Sequence, residues 1–437
     1  MLNSHIPNDR TTAPANRSRE AEGRLRVRII AWITAISLLG DSMLYIVLPV
    51  YWQSFGLDAL WQVGVLLSVN RFVRLPLNPL VGWLYGRMSK RSGVLAAAVL
   101  AFLTTAAYGA LSGFAALLAA RALWGAAWSL LRIGGYLTVL EAADDSNRGR
   151  LLGSYNGIIG VGSLVGMLAG GVLADTLGAG AVSLLLAAVM LAGVPLAWRY
   201  VPATADSRAG AAAAAESAGS PSAAKPALPR RPAALAPTPQ AALVLASGLL
   251  TAVVFFGIYL GTMSRMIEAH MPAPGTLLVL GATLGAASLT GIVQAVRWAW
   301  SPLLSPRIGA WSDGPRGRLP VYLGSLALAA AALALLPLPL PFAAWLAVLM
   351  AAQLASTAIT TLGDALAADA AAGAARVAFM TTFTTVVDVG AALGPLVGFA
   401  LIGSLGLDGL YYACAGLLLL LIAAWAVHRS LRSRSPA

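Results

Sequence analysis

One cysteine and three histidines in 437 residues leave little material for redox or metal chemistry. Cys414 has no second thiol with which to form an internal disulfide, and no Cys or His spacing fits a zinc site. His5, His270 and His428 fall in tails or loops, so no histidine relay runs through the apolar segments. Charge is also scarce: Asp, Glu, Lys and Arg make up 11% of the chain, against about 25% in soluble proteins. With 59% hydrophobic residues and a mean hydropathy of +0.78, an aqueous globular fold is excluded. The chain has no phosphate-cradling loop with its lysine and no Ser–His–Asp set. We therefore expect no enzyme activity and no cofactor. No cleavable leader is expected either, because the basic polar stretch from Met1 to Arg28 runs directly into a full-length apolar segment.

What the chain has in abundance is apolar runs of about 20 residues, the length that crosses a hydrocarbon core. The runs predict spans at 28–52, 59–84, 93–111, 114–140, 151–174, 179–199, 241–263, 285–309, 319–338, 342–368, 377–403 and 408–428. The net charge of +12 sits in the short connectors between runs, which argues for a membrane orientation signal and against a nucleic-acid surface. One set of alternate loops holds Arg17, Arg19, Arg24, Arg26, Arg87, Lys90, Arg91, Arg148, Arg150, Arg230, Arg231, Arg316, Arg318, Arg376, Arg429 and Arg432. The other set holds essentially Arg265 alone. Basic residues stay on the cytoplasmic side, so both termini are expected inside.

The Ala-, Pro- and Ser-rich stretch 201–240 cannot bury a core and reads as a flexible cytoplasmic linker. The expected organisation is a disordered tail at 1–27, a six-helix bundle at 28–200, the linker, a second bundle at 241–428 and a short tail at 429–437. Residues 272–284 have no counterpart in the first half; they are expected to extend the eighth helix or to lie at the outer interface. The halves repeat. A shift of 227 residues lays Gly64 on Gly291, Pro79 on Pro306 and Gly82 on Gly309. A shift of 228 lays Glu141 on Asp369, Arg148 on Arg376, and Gly162, Gly166 and Gly170 on Gly390, Gly394 and Gly398. Two parallel repeats of membrane helices place a site near the midplane between them.

Eight charged residues lie inside the predicted spans: Asp41, Asp364 and Asp388, and Arg71, Arg74, Arg121, Arg132 and Arg297. Each costs roughly 2.5–3.5 kcal/mol at the centre of a span, so such a residue faces a bundle interior or a watery cavity and marks a site. Helical spacing gathers polar groups on single faces. Arg71, Arg74 and Asn78 share one on the second span; Arg121, Trp128 and Arg132 share one on the fourth. Ser37, Asp41 and Tyr45 do so on the first span, Gln294, Arg297 and Ser301 on the eighth, Gln353, Thr357 and Asp364 on the tenth, and Thr381 and Asp388 on the eleventh. Five bases against three acids leave an excess of two positive charges. An anionic substrate would neutralise it by bidentate pairing; snorkelling to a headgroup or bonding to backbone carbonyls is the alternative.

Several motifs then resemble those of the major facilitator superfamily, over essentially the full length. After the second span, Gly82-Trp-Leu-Tyr-Gly86-Arg87-Met-Ser89-Lys90-Arg91 is similar to the family's G-x-x-x-D-R-x-G-R-R/K, with glycine in place of the acid. The second-half copy keeps Asp313, with Gly309, Arg316, Gly317 and Arg318. Arg121 and Gly125 match R-x-x-x-G, and Glu141 with Arg148, repeated by Asp369 with Arg376, matches D-x-x-x-x-x-x-R. Gly162, Gly166, Gly170 and Gly171 resemble the G-x-x-x-G-P-x-x-G-G signature associated with antiporters, with Met167 at the proline position; Gly394-Pro395 keeps that proline in the other half.

The resemblance implies an all-α membrane protein of twelve helices in two pseudo-symmetric halves, working by alternating access and driven by the proton motive force. It also implies a conformational latch at the first motif and pairing of Asp41 with Arg121. Burial disfavours a charged carboxylate and a nearby arginine favours it. A site that alternates between the two surroundings can load a proton on one side and release it on the other. A permanent structural ion pair is the competing reading of the same two residues. Asp388 and Asp364 are the further proton candidates. Substrate contact is expected from Arg71, Arg74, Arg132, Arg297, Trp128, Tyr45, Asn78, Gln294, Gln353 and Thr357. The expected function is proton-coupled export of a drug-like molecule, siderophore or secreted metabolite by a monomer in a bacterial inner membrane. Uptake or exchange of an organic anion is the alternative. A transport-fold sensor ranks below both, since no folded signalling domain follows either half.

Overall fold

The computed structural model describes residues 12–143, 147–203, 238–272, 277–279, 282–313, 317–371 and 376–434. The chain opens with α1 (Thr12–Ser37) and α2 (Leu39–Val47), a nearly continuous helix interrupted at Leu38. Helices α3 (Leu60–Tyr85), α4 (Lys90–Ala110), α5 (Phe114–Ala142) and α6 (Arg148–Leu177) follow, then α7 (Ala179–Met190) and α8 (Gly193–Tyr200). The second part begins with α9 (Pro239–Thr251), a π-helical segment Ala252–Tyr259 and α10 (Leu260–His270). It continues through α11 (Ala286–Ser312), α12 (Arg318–Leu335), α13 (Phe342–Ala370) and α14 (Arg376–Arg434).

Local chemistry sets several of these boundaries. The Ser89 hydroxyl caps α4 by accepting from the Ser92 amide at 3.1 Å, and Thr238 caps α9 ahead of Pro239. Gly178 (φ 82°) turns the chain between α6 and α7, and Gly406 (φ 70°) bends α14; only glycine takes this conformation without strain.

Two expectations change. Residues 12–27, assigned to a disordered tail, extend the first helix outward. Of residues 272–284, those described do not extend the eighth helix. Leu277–Val279 and Ala282–Leu284 pair as an antiparallel hairpin (β1 and β2), with Leu277 opposite Leu284. The sixth expected span is present as one stretch, Ala179–Tyr200, with a turn at Leu191–Ala192 where both residues keep helical backbone angles. Of the expected linker, residues 204–237 lie outside the described residues.

Among the described residues, nine helical stretches are long and apolar enough to cross a membrane. One of them, Phe379–Leu431, is 53 residues long and contains the bend at Gly406. Helices α3 and α11 match the others in length, at 26 and 27 residues, but carry arginines and two prolines each. The chain is an all-α polytopic membrane protein apart from the small hairpin.

The helices form two bundles. One apolar core draws only on residues from Ala241 to Trp425. The other two draw on residues from Val27 to Val201, joined at one end by Leu260, Ala287 and Phe399 of the second bundle. Lipid gives apolar helices no hydrophobic reason to associate, so close packing falls to small residues. A methyl group added at Gly394 would come within 2.4 Å of the Gly257 Cα, and one at Gly166 within 2.6 Å of the Leu39 carbonyl. One face of the molecule carries Arg87, Lys90, Arg91 and Arg318 at helix junctions, and we call it the basic face.

The bundles meet along two seams, α6 with α11 and α3 with α14. An added methyl at Gly171 would lie 2.3 Å from the Ala287 carbonyl, one at Gly291 2.7 Å from that of Met167, and one at Gly64 2.6 Å from that of Pro395. Further along the same stripe, toward the basic face, Gly157 and Gly153 on α6 and Gly309 on α11 meet nothing within 4 Å. The bundles are thus in backbone contact at the face away from the basic residues, while these glycines nearer the basic face have open space beside them.

Candidate functional site

Asp41, on α2, and Arg121, on α5, form an ion pair between helices of the first bundle; Asp41 is 7% exposed and Arg121 1%. Arg121 also donates from Nε to the Leu66 carbonyl at 2.8 Å, and the Asn70 amide donates to Asp41 Oδ1 at 3.3 Å. Gly125, one turn beyond Arg121, lets α5 approach α3: a methyl there would lie 2.7 Å from the Asn70 carbonyl. One guanidinium nitrogen, Arg121 Nη2, is buried without a hydrogen-bond partner.

Above this pair Arg71 donates from Nε to the Tyr45 hydroxyl at 3.3 Å, and Arg74 donates from Nε to the Asn70 carbonyl at 3.1 Å. The guanidinium of Arg74 lies 5.3 Å from the Trp128 ring centre, and that of Arg132 lies 5.6 Å from Tyr136. Asn78 is half-buried one turn beyond Arg74. In the second bundle Gln353 donates to Gln294 Oε1 at 3.0 Å, and Trp300 Nε1 donates to the Thr357 hydroxyl at 3.2 Å. Arg297 lies 5.9 Å from the Phe256 ring, with its Nε buried and unpartnered.

The three span acids part company. Only Asp41 is buried; Asp364 and Asp388 are exposed. Gly64 of α3 meets Pro395 of α14; Arg71 and Asp388 each lie two turns from that contact toward the basic face, which sets Asp388 level with Arg71 across the seam and within electrostatic range of Arg71, Arg74 and Arg132. An exposed acid that acts on three arginines across the seam faces a water-accessible cleft between the bundles and not lipid. Asp364 lines a separate cavity of about 50 Å³ inside the second bundle, among Phe255, Phe256, Phe383, Tyr322 and Trp425.

Superposing the repeats shows how asymmetric the chemistry is. Gly162 packs on Ala35 and Gly166 on Leu39, as Gly390 packs on Leu249 and Gly394 on Val253. Both pairs relate the first helix to the seventh by a shift of 214 residues (35 to 249, 39 to 253). That shift lays Tyr45 on Tyr259 but Asp41 on Phe255, so the acid has no counterpart. With the shift of 227, Arg71 falls on Trp298 and Arg74 on Ser301; with 228, Arg132 falls on Thr360. The bases of the cleft belong to the first bundle, apart from Arg297.

At the basic face Arg318 bonds Asp313 at 2.8 Å and Asp369 at 2.5 Å. Its counterpart by the shift of 228 is Lys90, which pairs with Glu141, the counterpart of Asp369. Lys90 belongs to the loop motif, and its pairing with Glu141 was legible in the repeat shift that matches Glu141 with Asp369 and Lys90 with Arg318. Arg87 and Arg91, expected in that latch, are occupied elsewhere: Arg87 lies 3.8 Å from the Trp83 ring and Arg91 donates to the Val201 carbonyl at 2.7 Å. Gly82 is buried in α3, and Gly170 packs on Met43. Arg148 and Arg376 begin α6 and α14; their side chains lie outside the described residues.

The face opposite the basic one carries a contact that the sequence reading overlooked. Asp175, near the end of α6, accepts from the Tyr51 hydroxyl at 2.6 Å and from the Ser288 amide at 2.8 Å. Ser288 lies in the first turn of α11, where backbone amides are unpaired and the helix dipole favours an anion. A carboxylate of the first bundle therefore caps a helix of the second. The only sequence signal was an acid following the glycine pair Gly170–Gly171.

Two helical bundles that meet along two seams, with Asp175 bridging them at one face and arginines of the first bundle facing Asp388 of the second, define a two-bundle polytopic membrane protein. The family model described as Major Facilitator Superfamily matches residues 30–312. The chain belongs to that superfamily. Over 200 residues it is 30% identical to the probable vesicular acetylcholine transporter-B of Danio rerio, covering 41% of this chain and 40% of that protein. It is 34% identical to the synaptic vesicular amine transporter of Homo sapiens over 131 residues, or 30% of this chain and 26% of that one. The chain thus spans well under half the length of these relatives. Its fold is similar to a crystal structure of the nucleoside transporter NupG, with TM-score 0.71 at 13% identity, covering 93% of this chain and 98% of that one.

Proposed function

We propose that the chain is a proton-coupled antiporter that exports a small organic molecule. The observation that carries this reading is the buried Asp41–Arg121 pair, whose acid lies beside the cleft and has no counterpart in the second bundle. Protonation of Asp41 would release Arg121, and the unpartnered Arg121 Nη2 leaves that guanidinium only partly committed. Asp388 and Asp364 are further protonatable groups in contact with water. In this reading the two arms of α14 and the charged helices α3 and α11 bring the spans to twelve, six in each bundle. The basic face lies in the cytoplasm, of a bacterial inner membrane, so the cleft opens inward. Arg318 with Asp313 and Asp369, and Lys90 with Glu141, then form the cytoplasmic latches, and glycine and proline contacts at Gly166, Gly170, Gly394 and Pro395 form the surfaces on which the bundles rock.

The named relatives carry amines and acetylcholine, both organic cations at neutral pH. A cleft lined by Arg71, Arg74, Arg132 and Arg297 disfavours a cation, and this observation supports a second reading, uptake or exchange of an organic anion. The test is untargeted metabolomics of cells and spent medium for a deletion strain, a strain re-expressing the chain, and one expressing Asp41→Asn. Export predicts a compound retained inside the deletion and Asp41→Asn cells and missing from their medium. A compound left unconsumed in the medium would replace export by uptake, and full complementation by Asp41→Asn would remove the coupling role.

A further inference from the structure

We infer that the cleft binds an organic dianion, held by Arg71, Arg74 and Arg132, with Asp388 as a built-in counter-anion that the substrate displaces. The inference rests on reading the cleft as the transport site, and not on the direction of transport. Each arginine is already oriented by the protein. Arg71 and Arg74 bond through Nε alone, and the guanidinium groups of Arg74 and Arg132 lie against the Trp128 and Tyr136 rings. Among the described residues the Nη pairs of Arg71 and Arg74 are left over, Arg132 has the Tyr136 side chain as its neighbour, and none of the three arginines has a carboxylate at ion-pair distance. A guanidinium fixed at Nε with two free Nη donors presents the fork that takes an oxyanion.

The charge count sets the ligand's valence. Arg71 and Arg74 lie one helical turn apart and repel each other, and Arg132 faces the same cleft from α5. Asp388 acts on all three from the other bundle; Asp41 also acts on Arg71 and Arg74 but is already matched by Arg121, and Arg297, against Phe256, lies outside the range of Asp388. In this cluster three positive charges therefore meet one unmatched negative charge and two remain. A dianion balances them; a monoanion leaves one over and a cation adds to the excess. Because Asp388 competes for the same guanidinium groups, it weakens anion binding and favours release once the substrate has crossed.

The experiment measures binding to the purified full chain in detergent, at fixed ionic strength, by thermal shift and calorimetry. The probes are phthalate as the dicarboxylate, phenyl phosphate as the phosphomonoester, benzoate as the monoanion and benzyltrimethylammonium as the cation. Phthalate or phenyl phosphate should bind about tenfold or more tightly than benzoate, and the ammonium compound should not bind; which of the two dianions is tighter identifies the oxyanion. Arg74→Gln and Arg132→Gln should each weaken the dianion about tenfold or more, while Asp388→Asn should strengthen it by a similar factor. The gain in Asp388→Asn keeps the test valid if an arginine variant fails to fold. Binding of the ammonium compound on a par with the dianions, no binding of either dianion, or an unchanged affinity in Asp388→Asn would overturn the inference. No proton gradient exists in detergent, so failure of the coupling reading leaves this measurement intact.

Discussion

Replacing Arg121 with leucine keeps most of the side-chain volume and strips Asp41 of its cation. Asp41 is 7% exposed and its remaining polar neighbour is the Asn70 amide at 3.3 Å. Removing one partner of a buried pair costs about 3–5 kcal/mol. Reversible unfolding in mixed detergent micelles measures that loss, with Asp41→Asn/Arg121→Leu as the control whose penalty should be smaller, since the amide leaves no unpaired charge behind. A single-variant loss below about 1 kcal/mol, or one equal to that of the double variant, would refute the reasoning, because Asp41 would then be solvated without its arginine.

The two basic-face pairs should differ. Lys90, with a side chain 5% exposed, should cost about 2–3 kcal/mol on truncation to alanine. Arg318, 28% exposed, should cost under about 1 kcal/mol and less in high salt, both measured by the same unfolding assay. Gly257→Val should push α14 away from the π-helical segment, because even a methyl there meets the Gly394 Cα at 2.3 Å; a loss of about 1–3 kcal/mol is expected in thermal unfolding. Asp175→Ala removes the acceptor of Tyr51 and of the Ser288 amide and should loosen the face away from the basic residues. A cysteine placed at Ala287 should then react several-fold faster with an impermeant maleimide, against a silent background because Cys414 is buried.

Much of this arrangement could be read from the chain. Apolar runs of about 20 residues require membrane helices because hydrocarbon leaves backbone groups no other partner. Buried charges are costly enough to mark Asp41 and Arg121 as site residues, and the family resemblance is what matches the two across eighty positions. The glycines at 162, 166, 390 and 394 marked both the repeat and the helix contacts, since only a missing side chain permits such approach. Periodicity could not distinguish an α turn from the π turn at Ala252–Tyr259, or find the hairpin in a short apolar stretch.

The tertiary structure decided what depends on one bundle's placement against the other. Asp388 reads in sequence as one more membrane acid; only the seam sets it before Arg71, Arg74 and Arg132. Asp175 reads as a loop acid, and it becomes a lock because the first turn of α11 arrives beside it. Helical spacing carries information along a single helix and stops at its edge. The sequence by itself determined which faces are polar; which faces meet, and at which end the backbones touch, follows from the packing of two bundles whose contacts lie more than a hundred residues apart.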